Sequence, residues 1–225
     1  YFGGTEAGNG QYLKNGGRFV DLAHSSFDED VRTMLDVFGD RAVKGYPYVQ
    51  SEWNQPEPNI YSAESLPLMA AYGSLNSWNP VYFAFLQADM PRDAYMMILY
   101  NMYEVPTKSA IAPACGMMFL RGDVKPSELK YYAPVSLKEA IGRNSASPDI
   151  PWDMKRIAKT GVSLVDNENV DPYSDNAALL EYLSNFKDGR LVAVNNQLRW
   201  DKNNKTLEIN TGCTQGYIGF VGGNP

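Results

Sequence analysis

The first half of the sequence alternates helical and strand-forming segments, and this alternation is its strongest constraint on the fold. Tyr46–Ser51 (YPYVQS) is aromatic and β-prone, and Val81–Leu86 (VYFAFL) is a nearly continuous apolar run, as expected for a strand covered on both faces. Between them, Ser62–Ser77 has the apolar spacing of a helix. The alternation predicts parallel βα units, with the two strands as neighbours and a right-handed helical crossing between them. Further helices are predicted at Phe27–Phe38, Asp93–Tyr103 and Thr107–Leu120.

The second half of the sequence has a different character. Pro126–Tyr173 contains several prolines and is predicted to be irregular. Short strands are then predicted at Leu191–Val194, Gln197–Trp200, Thr206–Asn210 and Tyr217–Val221, with Asp201–Asn204 as a hairpin turn. We therefore place a domain boundary near Asp123–Pro134. Residues 1–125 form the parallel part, and residues 126–225 form a linker and an antiparallel β-rich domain that packs against the helices of the first part and carries no catalytic group.

Composition excludes several functional classes. The formal net charge is −6 and no run of Lys and Arg stands out, which disfavours nucleic-acid partners. The two cysteines, Cys115 and Cys213, and the single histidine, His24, are too few for a zinc finger or a multi-disulfide scaffold. One disulfide and two free, buried thiols both remain open, and the second is favoured. The apolar stretch Ala110–Leu120 is too short to span a membrane, and no signal peptide is visible at the start of the sequence.

Glu52 is the first candidate for chemistry, because it follows a predicted buried strand. In parallel α/β folds catalytic groups stand at the carboxyl ends of the strands. A retaining glycosidase needs a carboxylate nucleophile about 5–5.5 Å from a second carboxyl group that acts as acid and base. Trp53, Asn54, Asn59 and Tyr61 are expected to supply hydrogen-bond donors or a ring wall beside Glu52. A glutamate after a strand also occurs as a helix N-cap or in a surface ion pair, so the position of Glu52 alone does not establish a catalytic role.

Three other side chains have two interpretations each. Glu64 either supports the site by hydrogen bonding or simply places a negative charge at a helix N-terminus. His24 either lines a sugar site or is a loop residue. Trp78 either forms a stacking floor for a sugar or belongs to the core. A serine hydrolase is excluded by the lack of a G-x-S-x-G motif and of a well-placed histidine.

A longer motif resembles a known family. The segment Tyr46–Leu86, which contains SEWNQPEPNIYSAESLPLMAAYGSLNSW, resembles the stretch from strand seven to strand eight of the clan A (β/α)8 glycoside hydrolases. It is most similar to a loosely characterised bacterial group with an SEWN motif after strand seven. The opening YFGG, the segment Met118–Pro126 and the hairpin region LRWDKNNKTLEINTGCTQGYIGF also resemble parts of that group, the last belonging to its C-terminal β-domain.

The resemblance implies an α/β fold in which this chain provides the last strands and helices of a (β/α)8 barrel, followed by an antiparallel β-domain. It implies that Glu52 is the nucleophile of a retaining hydrolase acting on a polysaccharide or oligosaccharide, without metal or organic cofactor, in an extracellular or periplasmic setting. The family's acid/base glutamate follows strand four, and no Asn-Glu motif after a strand supplies it here. A second chain or a preceding segment is therefore expected to complete the barrel. The alternative is a non-catalytic carbohydrate-binding or structural module.

Overall fold

The structure, a computed structural model, describes residues 34–55, 61–82, 102, 105–142, 148, 150–166, 176–186 and 188–219. The described helices are α1 (Met34–Gly39), α2 (Ser65–Asn76), α3 (Pro106–Arg121), α4 (Leu137–Gly142), α5 (Trp152–Ile157) and α6 (Ala177–Ser184), with one 3-10 turn at Ser62–Glu64 before α2. The described strands are β1 (Val49–Trp53), β2 (Asn79–Tyr82), β3 (Lys130–Ser136), β4 (Lys159–Val165), β5 (Arg190–Val192), β6 (Leu198–Asp201), β7 (Thr206–Asn210) and β8 (Gln215–Gly219).

Strands β1 and β2 are parallel neighbours, as the alternation predicts. Val49 pairs with Asn79, and Trp53 pairs with Tyr82. The observed β1 begins three residues later than the predicted strand Tyr46–Ser51 and includes Glu52. The predicted strand Val81–Leu86 begins earlier, at Asn79, and its last four residues lie outside the described part of the chain. The right-handed sense of the crossing stays a prediction.

Helix α2 connects these two strands and is buried along most of its length, which explains why its sequence is apolar on nearly every side. It ends at Ser77, which adopts a left-handed conformation with φ of 57°. Helix α3 packs beside α2 and begins at Pro106, a proline in the first helical position, where its missing N–H costs nothing. Both predicted helices are confirmed: α3 agrees within one residue at each end, and α2 agrees within one residue at its C-terminal end but starts three residues after the predicted Ser62, because Ser62–Glu64 forms the 3-10 turn.

A second parallel pair corrects the prediction that Pro126–Tyr173 is irregular. Strands β3 and β4 pair in register from Lys130 with Lys159 to Ser136 with Val165. The prolines misled the prediction: Pro134 lies within β3, which pairs only with β4 among the described strands, and a strand at a sheet edge tolerates a residue without an N–H. Helices α4 and α5 also lie within this region.

The predicted antiparallel strands form a four-stranded sheet in the order β5-β6-β7-β8, with the hairpin between β6 and β7 as expected. Its buried face includes Leu198, Trp200 and Leu207. Trp200 packs edge-on against Tyr72 of α2, with ring centroids 6.4 Å apart. The predicted packing of this sheet against a helix of the first part is therefore confirmed.

One hydrophobic cluster includes residues from both sides of the expected domain boundary, and backbone bonds such as Ser127 N to Leu75 O cross it at 2.9 Å. The division into residues 1–125 and 126–225 stays a prediction. Among the described residues, the parallel strands form two separate pairs and not a closed barrel. None of the helices in the described ranges is long and apolar enough to cross a membrane.

Both cysteines carry free thiols, as favoured from the sequence, but only Cys115 is buried. The expectation that Cys213 is buried was wrong, because this residue occupies the exposed turn between β7 and β8, where its backbone N–H binds Thr211 Oγ1 at 3.1 Å. Burial raises the pKa of the Cys115 thiol to about 11, so that it is protonated at neutral pH.

Candidate functional site at the carboxyl ends of β1 and β2

Strand β1 is irregular where it carries Glu52. From Gln50 to Trp53 it advances by three residues, whereas the paired stretch from Pro80 to Tyr82 advances by two. The register of β1 therefore shifts by one residue between Gln50 and Trp53, the stretch that contains Glu52. Such irregularities in strands are enriched next to active sites and can re-aim a side chain. Glu52 is the penultimate residue of β1. The position of its carboxylate lies outside the described part of the structure.

Lys108 joins the end of β1 to helix α3. Its side chain is fully buried, and Nζ donates to Oδ1 of Asn54 at 3.1 Å and to the backbone carbonyl of Gln55 at 2.6 Å. These acceptors follow Glu52 by two and three residues in the chain. A buried ammonium requires such partners, because desolvation of an unpaired charge is costly.

Tyr82 extends this contact to the end of β2. Its hydroxyl donates to Oδ1 of Asn54 at 2.6 Å and lies 2.8 Å from Oγ of Ser65 at the start of α2. Ser65 Oγ in turn donates to the backbone carbonyl of Ser62 at 2.6 Å. Because Oδ1 of Asn54 accepts from both Lys108 and Tyr82, the orientation of its amide is fixed. Asn54, Ser65, Tyr82 and Lys108 are called the edge cluster below.

Trp53 and Trp78 belong to the hydrophobic core. Their exposed fractions are 5% and 4%, and both rings pack edge-on against Phe38 with centroids 6.0 Å apart. Trp78 also contacts Tyr48 at 5.8 Å. Neither ring face is open for a sugar, so the expectation of substrate stacking on these two tryptophans is not supported, and the core interpretation of Trp78 is the better one.

Glu64 and Tyr61 flank the edge cluster on the chain. Glu64 is the N-terminal flanking residue of α2, is 8% exposed and makes no side-chain capping bond to that helix. It lines a cavity of about 410 Å³ between α3 and β8, together with Cys115 and Tyr217. The backbone carbonyl of Tyr61 accepts from Glu64 N at 3.0 Å, and its side chain is half-buried. Asn59 and His24 lie outside the described residues.

Sequence analysis missed Ser65, Tyr82 and Lys108 as members of the site. For Lys108 a signal was present, because a lysine in the first turn of a helix opposes the helix dipole and gains nothing locally. Such a residue requires partners elsewhere in the fold. For Ser65 and Tyr82 no comparable signal exists, because a serine at a helix start and a tyrosine in a strand are ordinary.

Comparisons of the chain with protein-family models, with curated proteins and with solved structures returned no match. The described residues hold no group of three or more His, Cys, Asp or Glu side chains arranged for a metal ion. The site therefore has to be interpreted from its own chemistry: hydrogen-bonding groups and one ammonium, gathered where two parallel strands end.

Proposed function

We propose that the chain is the C-terminal part of a retaining glycoside hydrolase of the (β/α)8 type, with Glu52 as nucleophile. The Glu52 carboxylate attacks the anomeric carbon of a polysaccharide or oligosaccharide, and the bond to the leaving oxygen breaks as that oxygen takes a proton from a second carboxyl group. Water then attacks the anomeric carbon of the glycosyl-enzyme, returns a proton to that second group and releases Glu52.

One observation carries this proposal: Glu52 lies in the irregular carboxyl-terminal part of a parallel strand, at the end of the strand where the edge cluster also lies. Parallel α/β folds use this end of their strands for catalysis. The ammonium of Lys108 binds Asn54 and Gln55, which follow Glu52 by two and three positions, and so holds the chain next to the proposed nucleophile. The SEWN resemblance assigns the same residue to the same role.

The second carboxyl group is proposed to come from the remainder of the barrel, which another chain or a preceding segment supplies. An extracellular or periplasmic setting, where polysaccharides are met, agrees with this substrate class. Nucleic acid and membrane are not proposed as partners, and the chemistry requires no metal or organic cofactor.

Covalent trapping tests the assignment of the nucleophile. The complete assembly is incubated with activated 2-deoxy-2-fluoro glycosides, which form the glycosyl-enzyme but hydrolyse slowly. Intact-mass measurement followed by peptide mapping is expected to show one glycosyl unit on the peptide that contains Glu52. A label on another carboxylate, or turnover without any trapped intermediate, would remove Glu52 from this role.

The second candidate is a non-catalytic carbohydrate-binding or structural module, and the burial of the edge cluster favours it. Asn54, Ser65 and Lys108 are 2%, 0% and 0% exposed, so these groups are oriented towards one another and not towards solvent. A carbohydrate-binding module would bind oligosaccharides, and a structural module would not. Neither would be labelled by the 2-fluoro glycosides or hydrolyse them. Calorimetric titration with unlabelled oligosaccharides alongside the trapping experiment separates the two functions.

A further inference from the structure

We propose that Lys108 is the positioning residue of this site, holding the chain directly after Glu52 against helix α3. The inference rests on the proposed function, because it assigns Lys108 a part in keeping the nucleophile's strand end in place. Lys108 does not act on the substrate. It acts through Asn54 and Gln55.

The first argument is the geometry of the ammonium. Lys108 is separated from Asn54 by 54 positions in sequence, yet its fully buried Nζ bonds both the side chain of Asn54 and the backbone carbonyl of Gln55. An ammonium has three N–H donors, and two of them are committed to this one short segment. A charge-assisted bond to a backbone carbonyl fixes the path of the main chain and not merely a rotamer.

The second argument is that neither helix α3 nor the core benefits from a cation at this position. Lys108 is in the first turn of α3, two residues after Pro106, where the positive end of the helix dipole repels it. Burial of a lysine is also costly unless it is paired. The compensating interactions lie at the strand ends, which identifies the edge cluster as the place where Lys108 has its effect.

The third argument is that Asn54 transmits the constraint across the edge. Its Oδ1 accepts from Lys108 and from Tyr82, so one side chain ties α3 to the ends of both β1 and β2. Loss of the ammonium removes the bond to the Gln55 carbonyl and the link between α3 and Asn54. A displacement of about 1 Å of a reacting group can lower a rate by about 10²-fold.

The test uses Lys108→Met, which keeps the length of the side chain and removes the charge, and Lys155→Met as the matched control. Lys155 is also buried, at 5% exposure, but its Nζ pairs with Asp40 at 2.8 Å, away from the edge cluster. On 4-nitrophenyl β-glycosides with the complete assembly, Lys108→Met is expected to lower kcat by about 10²-fold with little change in KM. Lys155→Met is expected to retain kcat even though its melting temperature falls.

Hydrogen–deuterium exchange on the 225-residue chain provides a measurement that does not depend on activity. Lys108→Met is expected to accelerate exchange in the peptide covering residues 49–55 and not in residues 198–210 of the antiparallel sheet. Uniform acceleration throughout the chain, or wild-type exchange in residues 49–55, would overturn the positioning role. If Lys108→Met does not fold, kcat and hydrogen–deuterium exchange are measured on Asn54→Ala instead. Wild-type values of both in Asn54→Ala would then overturn the proposal.

The outcomes separate this inference from the proposed function. If Glu52→Gln is as active as the wild type, the proposed function fails and the exchange experiment still decides whether Lys108 holds the segment. If Glu52→Gln is inactive while Lys108→Met keeps both kcat and exchange, only the positioning role fails. In a double-mutant cycle, the effects of Asn54→Ala and Lys108→Met on kcat are expected to be less than additive, because both changes remove the bond between Lys108 and Asn54.

Discussion

The backbone N–H of Val162 donates to the carbonyl oxygen of Ala42 at 2.7 Å, and Lys44 N returns a bond to Val162 O at 2.8 Å. This bridge attaches the segment after α1 to strand β4. It brings the chain so close to Gly161 that a Cβ atom there would lie 2.2 Å from Ala42 O. Glycine is thus required at position 161 by the approach of another backbone.

Gly161→Ala is therefore expected to destabilise the protein by about 1–3 kcal/mol or more, because a backbone carbonyl cannot move aside as a flexible side chain can. Gly216→Ala is the matched control, since a Cβ atom at that position meets nothing within 4 Å. Its effect is expected to stay within about 0.5 kcal/mol. Urea denaturation of both variants measures the difference, and equal stability of the two would contradict the close approach.

Breaking the buried ion pair between Lys155 and Asp40 is expected to cause a larger loss of stability. The two charged atoms are 2.8 Å apart, and both side chains are at least 95% buried. Asp40→Ala removes the carboxylate that pairs with the buried ammonium of Lys155, which is expected to cost about 3–5 kcal/mol. The exposed pair Arg190–Asp201 is the contrast, and Arg190→Ala is expected to cost less than about 1 kcal/mol. Equal losses in thermal denaturation would show that burial does not decide the strength of these pairs.

Asp123 predicts how stability depends on pH. Hydrogen bonds from Arg121 and then from Thr214 lower the pKa of Asp123 below its usual range and tie the end of α3 to the β7–β8 turn. A carboxylate with a lowered folded-state pKa contributes stability above its unfolded pKa of about 3.9, and this contribution is lost as the pH falls through the folded pKa.

Melting temperatures measured from pH 6 downward are accordingly expected to fall less steeply in Asp123→Asn than in the wild type below about pH 4. Thr214→Val, which removes one of the hydrogen bonds, is expected to show an intermediate slope. Identical slopes for the wild type and Asp123→Asn would show that Asp123 does not contribute to acid sensitivity.

Local patterns were sufficient to predict those parts of the fold whose signals lie within a few residues. Helix α2 was predicted from its apolar spacing, and the β6–β7 hairpin from the turn residues Asp201–Asn204. The strand β3 was missed because Pro134 argues against a strand, and only the sheet topology shows that this strand lies at an edge. The residues next to a proline in the sequence do not show whether that proline will lie at a sheet edge.

The candidate site also contains one feature with a local sequence signal and others that only the tertiary structure shows. The position of Glu52 near the end of a strand was predictable, because it depends on a local sequence pattern, and its role as nucleophile stays a proposal. The edge cluster was not, since Tyr82 and Lys108 meet Asn54 across 28 and 54 positions of sequence. For Trp53 and Trp78 the sequence left a place beside the substrate open, with the core as the alternative for Trp78, and only their tertiary contacts with Phe38 show that both rings lie in the core.

The proposed role of Glu52 makes the final prediction. Glu52→Gln keeps the size of the side chain and removes the negative charge that attacks the anomeric carbon. Turnover of aryl β-glycosides by the complete assembly is expected to fall by several orders of magnitude, because the covalent step depends on the charge of this carboxylate.

The fold is expected to persist in this variant, because a glutamine can keep most hydrogen bonds that a carboxylate accepts. Thermal melting and exchange in residues 49–55 should therefore match the wild type. The isolated 225-residue chain is expected to be inactive on the same substrates, because the acid/base group is proposed to come from elsewhere. Equal turnover by wild type and Glu52→Gln would exclude Glu52 as the nucleophile. Turnover by the isolated chain would instead show that the acid/base group is one of the Asp or Glu residues of this sequence.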